Sequence, residues 1–174
     1  MLIIKLLKKI ILVYFMNKQF NKDYAKGKQS EKESLKILIQ KMNLNLILDE
    51  YDFANFDYHN IEETAYVELK TRDDIIFENG NFYYTKNNEI KLLPSLIFDS
   101  IKMITAYRMN KRLKNKKDFF VVWKINQGSQ YFYWKMNWDR TDTFTEEITA
   151  DFGFTGSRMT RDVVNVRTEA IKEL

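Results

Sequence analysis

The stretch that constrains this chain most is Asp57 to Arg72, DYHNIEETAYVELKTR. Residues 65–70, AYVELK, alternate as a strand does. Ala65, Val67 and Leu69 then share one face of a sheet, and Tyr66, Glu68 and Lys70 share the other. Asp57 lies just before this strand, where a turn brings its carboxylate back toward Glu68. Two carboxylates and a lysine converging at a sheet edge can hold a divalent metal and act on a phosphate. The same residues also read as a half-exposed strand with a salt bridge between Glu68 and Lys70. A second Glu-x-Lys occurs at Glu89-Ile90-Lys91, so the tripeptide by itself selects nothing.

Composition narrows the chemistry. The chain has 174 residues, of which 45% are hydrophobic and 30% charged, which suits one domain with a real core and argues against disorder. Cysteine is absent, which excludes a disulfide framework and a thiolate metal site, and the single His59 cannot build a histidine-rich zinc site. Any metal is therefore held by oxygen, which points to Mg²⁺ or Mn²⁺. The net charge of +4 is compatible with a polyanionic partner. Plentiful Lys, Asn and Ile beside a single Pro suggest AT-rich coding, as in phages, large DNA viruses and some bacteria. The expected location is the cytoplasm or another reducing intracellular compartment, a host cell if the source is viral.

Residues 2–15, LIIKLLKKIILVYF, are apolar but carry Lys5, Lys8 and Lys9, and the run is short for a membrane span. No stable span is expected. An amphipathic helix, a membrane-surface anchor and an upstream extension all remain open; residues 1–16 are set apart as an extension and 17–174 as one domain. In the next segment Leu35, Leu38, Ile39 and Met42 form a helical apolar stripe. Ser30 and Glu33 have the spacing of a capping box, which predicts a helix starting at Ser30. Glu31, four residues before Leu35, shares the inward face.

Residues 44–48 read as a first strand, 49–52 as a turn, 53–58 as the approach to a second strand, and 65–70 as a third. A helix followed by three short strands predicts an antiparallel or mixed sheet. Residues 73–93 read as a hairpin insertion, with turns at Asn79-Gly80 and Asn87-Asn88. Pro94 predicts the start of a long helix from Ser95 to about Lys114, with Leu96, Ile97, Ser100, Ile101 and Ile104 on one face. Its end carries Arg108, Lys111 and Arg112, suited to the helix dipole or to phosphates. Residues 118–125 and 130–138 read as two further strands, the first buried on both faces. The tail is strand-like at 163–166, after a glycine-containing basic loop with Arg158 and Arg161 that could wrap a phosphate backbone. There is no GxxxxGK[ST], and one histidine leaves no credible Ser/His/Asp arrangement.

Asp57 followed by Glu68-Leu69-Lys70 on a strand resembles the active site of the PD-(D/E)xK, or restriction-endonuclease-like, nucleases. Phe56 stands where that family's pattern has proline. Gly27-Lys28-Gln29-Ser30-Glu31 is similar to the Gly-x-x-x-Glu that archaeal-type junction resolvases carry on their first helix. The order helix, strand, strand, strand also resembles the opening of that fold. The resemblance spans roughly residues 24–135 and implies an α/β (α+β) domain, a central mixed sheet flanked by helices.

It further implies metal-dependent hydrolysis of phosphodiesters, with DNA the favoured nucleic acid. Asp57, Glu68 and the Leu69 carbonyl would hold Mg²⁺ or Mn²⁺. Lys70 would orient or help deprotonate a water, and Glu31 would support a metal or its waters. Lys102, on the helix that follows, would join Arg108, Lys111, Arg112, Arg158 and Arg161 in contacting nucleic acid. A homodimer is compatible with the family. The rival reading is a non-catalytic nucleic-acid-binding or interaction module on the same fold.

Overall fold

The computed structural model describes residues 24–49, 55–86, 89–112, 116–152 and 157–174. The extension at 1–16, most of the 49–52 turn, the Asn87-Asn88 turn and the glycines of the tail loop lie outside them.

The first described element is a helix, α1, over residues 24–42. Leu35, Leu38, Ile39 and Met42 pack against the sheet as their spacing requires. The helix does not start at Ser30. Ser30 and Ser34 are buried inside it, Ser30 Oγ lying 2.8 Å from Thr71 Oγ1 and Ser34 Oγ 3.2 Å from the Tyr131 hydroxyl. Both serines therefore bond the sheet rather than a helix end. Asn43, at φ 53°, closes the helix in the left-handed conformation that asparagine tolerates.

Among the described residues twelve strands follow: β1 (Leu46–Leu48), β2 (Tyr58–Asn60), β3 (Ala65–Arg72), β4 (Ile75–Glu78), β5 (Asn81–Lys86), β6 (Glu89–Leu93), β7 (Ser95–Asp99), β8 (Asp118–Ile125), β9 (Gln130–Lys135), β10 (Thr143–Phe152), β11 (Ser157–Arg167) and β12 (Lys172–Glu173). A second helix, α2, spans Ser100–Arg112. The central sheet runs β1-β2-β3-β8-β9-β12. Only β3 and β8 are parallel within it; its other pairs are antiparallel, so the sheet is mixed. The fold is mixed α/β and mostly strand. No helix among the described residues is long and apolar enough to cross a membrane.

The pleat of β3 and β8 sorts their side chains to two cores. Val67, Leu69 and Val122 face α1 together with Leu38, Tyr58 and Tyr131. Val121, Trp123 and Ile125 face the other way, against Met103 and Ala106 of α2 and Leu96, Phe98, Val164 and Val166 of a second sheet. That sheet is β10-β11-β7, and β4-β5-β6 form a third. The β4–β5 turn is Asn79-Gly80, with φ of 50° and 78°, as two-residue hairpins require.

Three expectations need correction here. Residues 95–99 are a strand, because they pair with β11 from Ser95↔Arg167 to Asp99↔Val163 and bury Leu96 and Phe98. The helix begins only at Ser100 and buries Met103 and Ala106, while Ile101 and Ile104 are exposed. Arg158 and Arg161 sit in strand β11, not in a loop, because the hairpin with β10 reaches Phe152↔Ser157. The strand predicted over 130–138 ends at Lys135, and Tyr131, Phe132 and Trp134 are buried.

Gly128 ends the connection between β8 and β9 at φ +87°, and an added Cβ would lie 2.7 Å from Cε of the buried Lys124 side chain. Gly128→Ala is expected to destabilise the protein by about 1–2 kcal/mol, read as a lower urea midpoint with unchanged m-value.

Candidate active site

The site begins where two strands part. Strand β2 pairs with β3 only at Tyr58↔Val67 and His59↔Tyr66. Beyond Val67 that edge of β3 is open. Asp57 closes it: its N–H donates to the Val67 carbonyl at 3.1 Å, and its Oδ2 accepts from the Leu69 N–H at 2.7 Å. A strand residue points its N–H and C=O to the same edge, so the Leu69 carbonyl faces the Asp57 side too.

Glu68 and Lys70 emerge on the α2 face. Glu68 is 2% exposed, and each of its oxygens meets a lysine: Oε1 lies 2.8 Å from Lys70 Nζ and Oε2 2.9 Å from Lys102 Nζ. The second contact is an ion pair without hydrogen-bond alignment, so Oε2 is buried with no hydrogen bond. Lys70 also donates to Asp99 Oδ2 at 3.0 Å, and Arg161 reaches Asp99 Oδ1 at 3.0 Å. Charges thus alternate along Arg161, Asp99, Lys70, Glu68 and Lys102. Lys102 additionally donates to the Asn55 carbonyl at 2.8 Å and lies over the Phe56 ring.

These neighbours set the proton affinities. Burial and the nearby Glu68 carboxylate push Asp57 up to about 7, against the opposing Leu69 N–H, with Glu31 adding to the rise and Lys102 opposing it. Burial works against a charge on Lys70, but Glu68 and Asp99 outweigh it and hold the ammonium above the usual lysine value. Asp99 is pulled below the usual carboxylate range: burial opposes, and Lys70, Arg161 and Lys102 prevail. Lys70 is accordingly a fixed cation here, suited to stabilising negative charge rather than to accepting a proton.

Glu31 approaches from α1. It pairs with Lys28 at 3.0 Å, and its backbone carbonyl accepts from the Tyr58 hydroxyl at 2.7 Å. Its charge is felt by Asp57 and Tyr58. The structure therefore brings together Asp57, Glu68, Lys70 and Lys102, with Glu31 beside Asp57. Lys102 faces Glu68 rather than open solvent. Arg108, Lys111 and Arg112 are exposed along the second half of α2, Arg108 about 9 Å along the helix axis from Lys102. Arg161 joins the site through Asp99. The side chain of Arg158 lies outside the described residues.

Asp99 went unread in the sequence. A helix begun at Ser95 takes it in, whereas its place as the last residue of β7, directly before α2, turns it toward Lys70. An aspartate one residue before a helix start was the available signal.

Among the described residues, no three His, Asp or Glu side chains converge as a ready-made metal cage. The donors at hand are the Asp57 and Glu68 carboxylates and the peptide carbonyl of Leu69. Two neighbouring carboxylates, Asp57 with its proton affinity raised by Glu68 and Glu68 with a buried oxygen lacking a hydrogen bond, fit a hard divalent cation. Mg²⁺ accepts such partial ligation and keeps several waters. No family model, curated protein or solved structure matches the chain.

Proposed function

We propose that this protein is a metal-dependent nuclease with a restriction-endonuclease-like core, hydrolysing phosphodiester bonds in nucleic acid, DNA first among them. The observation that carries the reading is the placement of Asp57 on the β3 edge, 2.7 Å from the Leu69 N–H, where it feels the charge of the neighbouring Glu68, with the Lys70 ammonium 2.8 Å from Glu68. Support also comes from the order of elements: a helix, three antiparallel strands and, after the β4–β6 insertion and β7, a parallel strand reached through α2.

In this reading Asp57, Glu68 and the Leu69 carbonyl would hold Mg²⁺ or Mn²⁺, which would supply Lewis-acid polarisation of a phosphoryl oxygen and an acidified water. Lys70 holds its positive charge beside the scissile phosphate and stabilises the negative charge that develops there. Asp99 keeps Lys70 oriented. Glu31 orders water on the Asp57 side. Arg161 and the exposed cations of α2 draw the polyanionic backbone toward the site, so binding weakens with salt.

The test is cleavage of duplex, single-stranded and branched DNA and of RNA in Mg²⁺ or Mn²⁺, with a chelator control. Metal-dependent cutting of at least one substrate is expected. Salt-sensitive binding without cutting of any of them would favour a non-catalytic binding module.

A further inference from the structure

The lysine paired with the Glu68 oxygen that lacks a hydrogen bond is not a passive neighbour. Lys102 Nζ stands 2.9 Å from Glu68 Oε2 and 2.8 Å from the Asn55 carbonyl oxygen. It also lowers the proton affinity of Asp57 through space. One ammonium thus contacts a buried carboxylate and a peptide carbonyl, both oxygen donors of the kind a divalent cation prefers, and its charge reaches a second carboxylate. Its contact with Oε2 is electrostatic and lacks hydrogen-bond alignment.

We propose that Lys102 is the resident cation of this site, standing where a divalent ion enters, and that loading the metal requires the Lys102 ammonium to leave Glu68. The proposal rests on the metal-site reading above and deepens it by naming what regulates occupancy. It follows from two costs. A Glu68 side chain that is 3% exposed and carries charge is expensive to leave without a counter-charge, and Lys102 supplies one when no metal is bound. An ammonium and a divalent cation cannot share Oε2 without strong like-charge repulsion, so each excludes the other.

The displaced lysine has a place to go. Lys102 is on the first turn of α2, three residues after Asp99, and its charge already helps pull Asp99 below the usual carboxylate range. Its side chain is 20% exposed, so the head group can swing toward Asp99 or an incoming phosphate without unfolding the helix. Lys102 would then counter the substrate's charge only after metal has replaced it. The exchange couples metal loading to phosphate binding: the same lysine competes with the ion and co-operates with the phosphate.

The experiment is direct titration of the intact chain with Mn²⁺ and with Mg²⁺, by calorimetry and by thermal shift, in wild type, Lys102→Met and Lys102→Gln. Gln keeps a donor for the Asn55 carbonyl and covers the case in which Met does not fold. Both variants are expected to bind the metal about tenfold or more tightly than wild type. Both should melt lower than wild type without metal and recover when it is added. Unchanged or weaker metal binding in the variants, beside clear binding in wild type, would overturn this proposal and leave the metal site standing. No metal binding by any of the three proteins would overturn both.

Discussion

Replacing Lys70 with Met is expected to lower the rate of phosphodiester cleavage by about 10²–10³-fold, with the substrate's apparent affinity changed far less. The ammonium is fixed by Glu68 at 2.8 Å and Asp99 at 3.0 Å. It therefore costs no reorganisation when charge builds on the phosphate, which is the condition under which a single preorganised cation has its largest effect. Met preserves the aliphatic stem packed in the site and removes only the charge. Glu68 keeps Lys102 and Asp99 keeps Arg161, so each carboxylate retains one partner and the variant should fold. Circular dichroism and a melting curve check that. Lys70→Arg is not expected to rescue, because the planar guanidinium cannot bridge Glu68 and Asp99 as a compact ammonium does. A loss confined to substrate affinity would instead assign Lys70 to binding.

Asp57→Asn is expected to abolish cleavage while making the metal-free protein more stable at pH 8, by about 1–3 kcal/mol. Asp57 is pushed from an ordinary value of 3.8 up to about 7 by burial and by Glu68. A carboxyl whose proton affinity is raised on folding gives stability that is fully present below its unfolded value and is lost as pH rises through the folded one. The neutral amide escapes that loss. The stability gap between variant and wild type should therefore be absent near pH 4, open as pH rises toward 7, and stay constant above. Asn retains an oxygen to accept the Leu69 N–H, so the backbone clasp survives.

Added Mg²⁺ should raise the melting temperature of wild type and leave that of Asp57→Asn unmoved. The same titration makes wild-type metal affinity, and with it cleavage, rise with pH up to about 7 and then level off. A residue whose removal stabilises the fold and destroys its chemistry is placed for function rather than packing. If Asp57→Asn proved less stable than wild type at every pH, Asp57 would be a structural clasp for the β2–β3 fork.

Much of this site is legible in local sequence because its central pieces are local. Alternation over 65–70 put Glu68 and Lys70 on one face, and both emerge on the α2 side of β3. The apolar stripe Leu35, Leu38, Ile39, Met42 likewise names the face of α1 that meets the sheet. What local pattern cannot supply is a partner distant in the chain. Residues 95–99 hold Leu96 and Phe98 at a spacing of two, yet Leu96, Ile97 and Ile101 also suit a helical face. Pairing with β11, more than sixty residues later, decides for strand. Asp99 depends on that choice, since only a strand ending at 99 aims its carboxylate at Lys70. Ser30 misled for a related reason. Its hydroxyl reads as a helix cap until Thr71 and Lys124 are seen to claim it. Arg161, in a segment that reads as a basic loop, reaches the site because β10 and β11 form one long hairpin against β7.

The most direct test of the account is cleavage of the best substrate in Mg²⁺ by wild type, Lys70→Met and Asp57→Asn side by side, each verified as folded. Wild type is expected to cut, chelator to stop it, and neither variant to approach it. Equal cutting by all three proteins would place the activity elsewhere. Absence of cutting by folded wild type on every DNA and RNA tested would reduce Glu68, Lys70 and Asp99 to a part-buried ion-pair network that serves the fold alone.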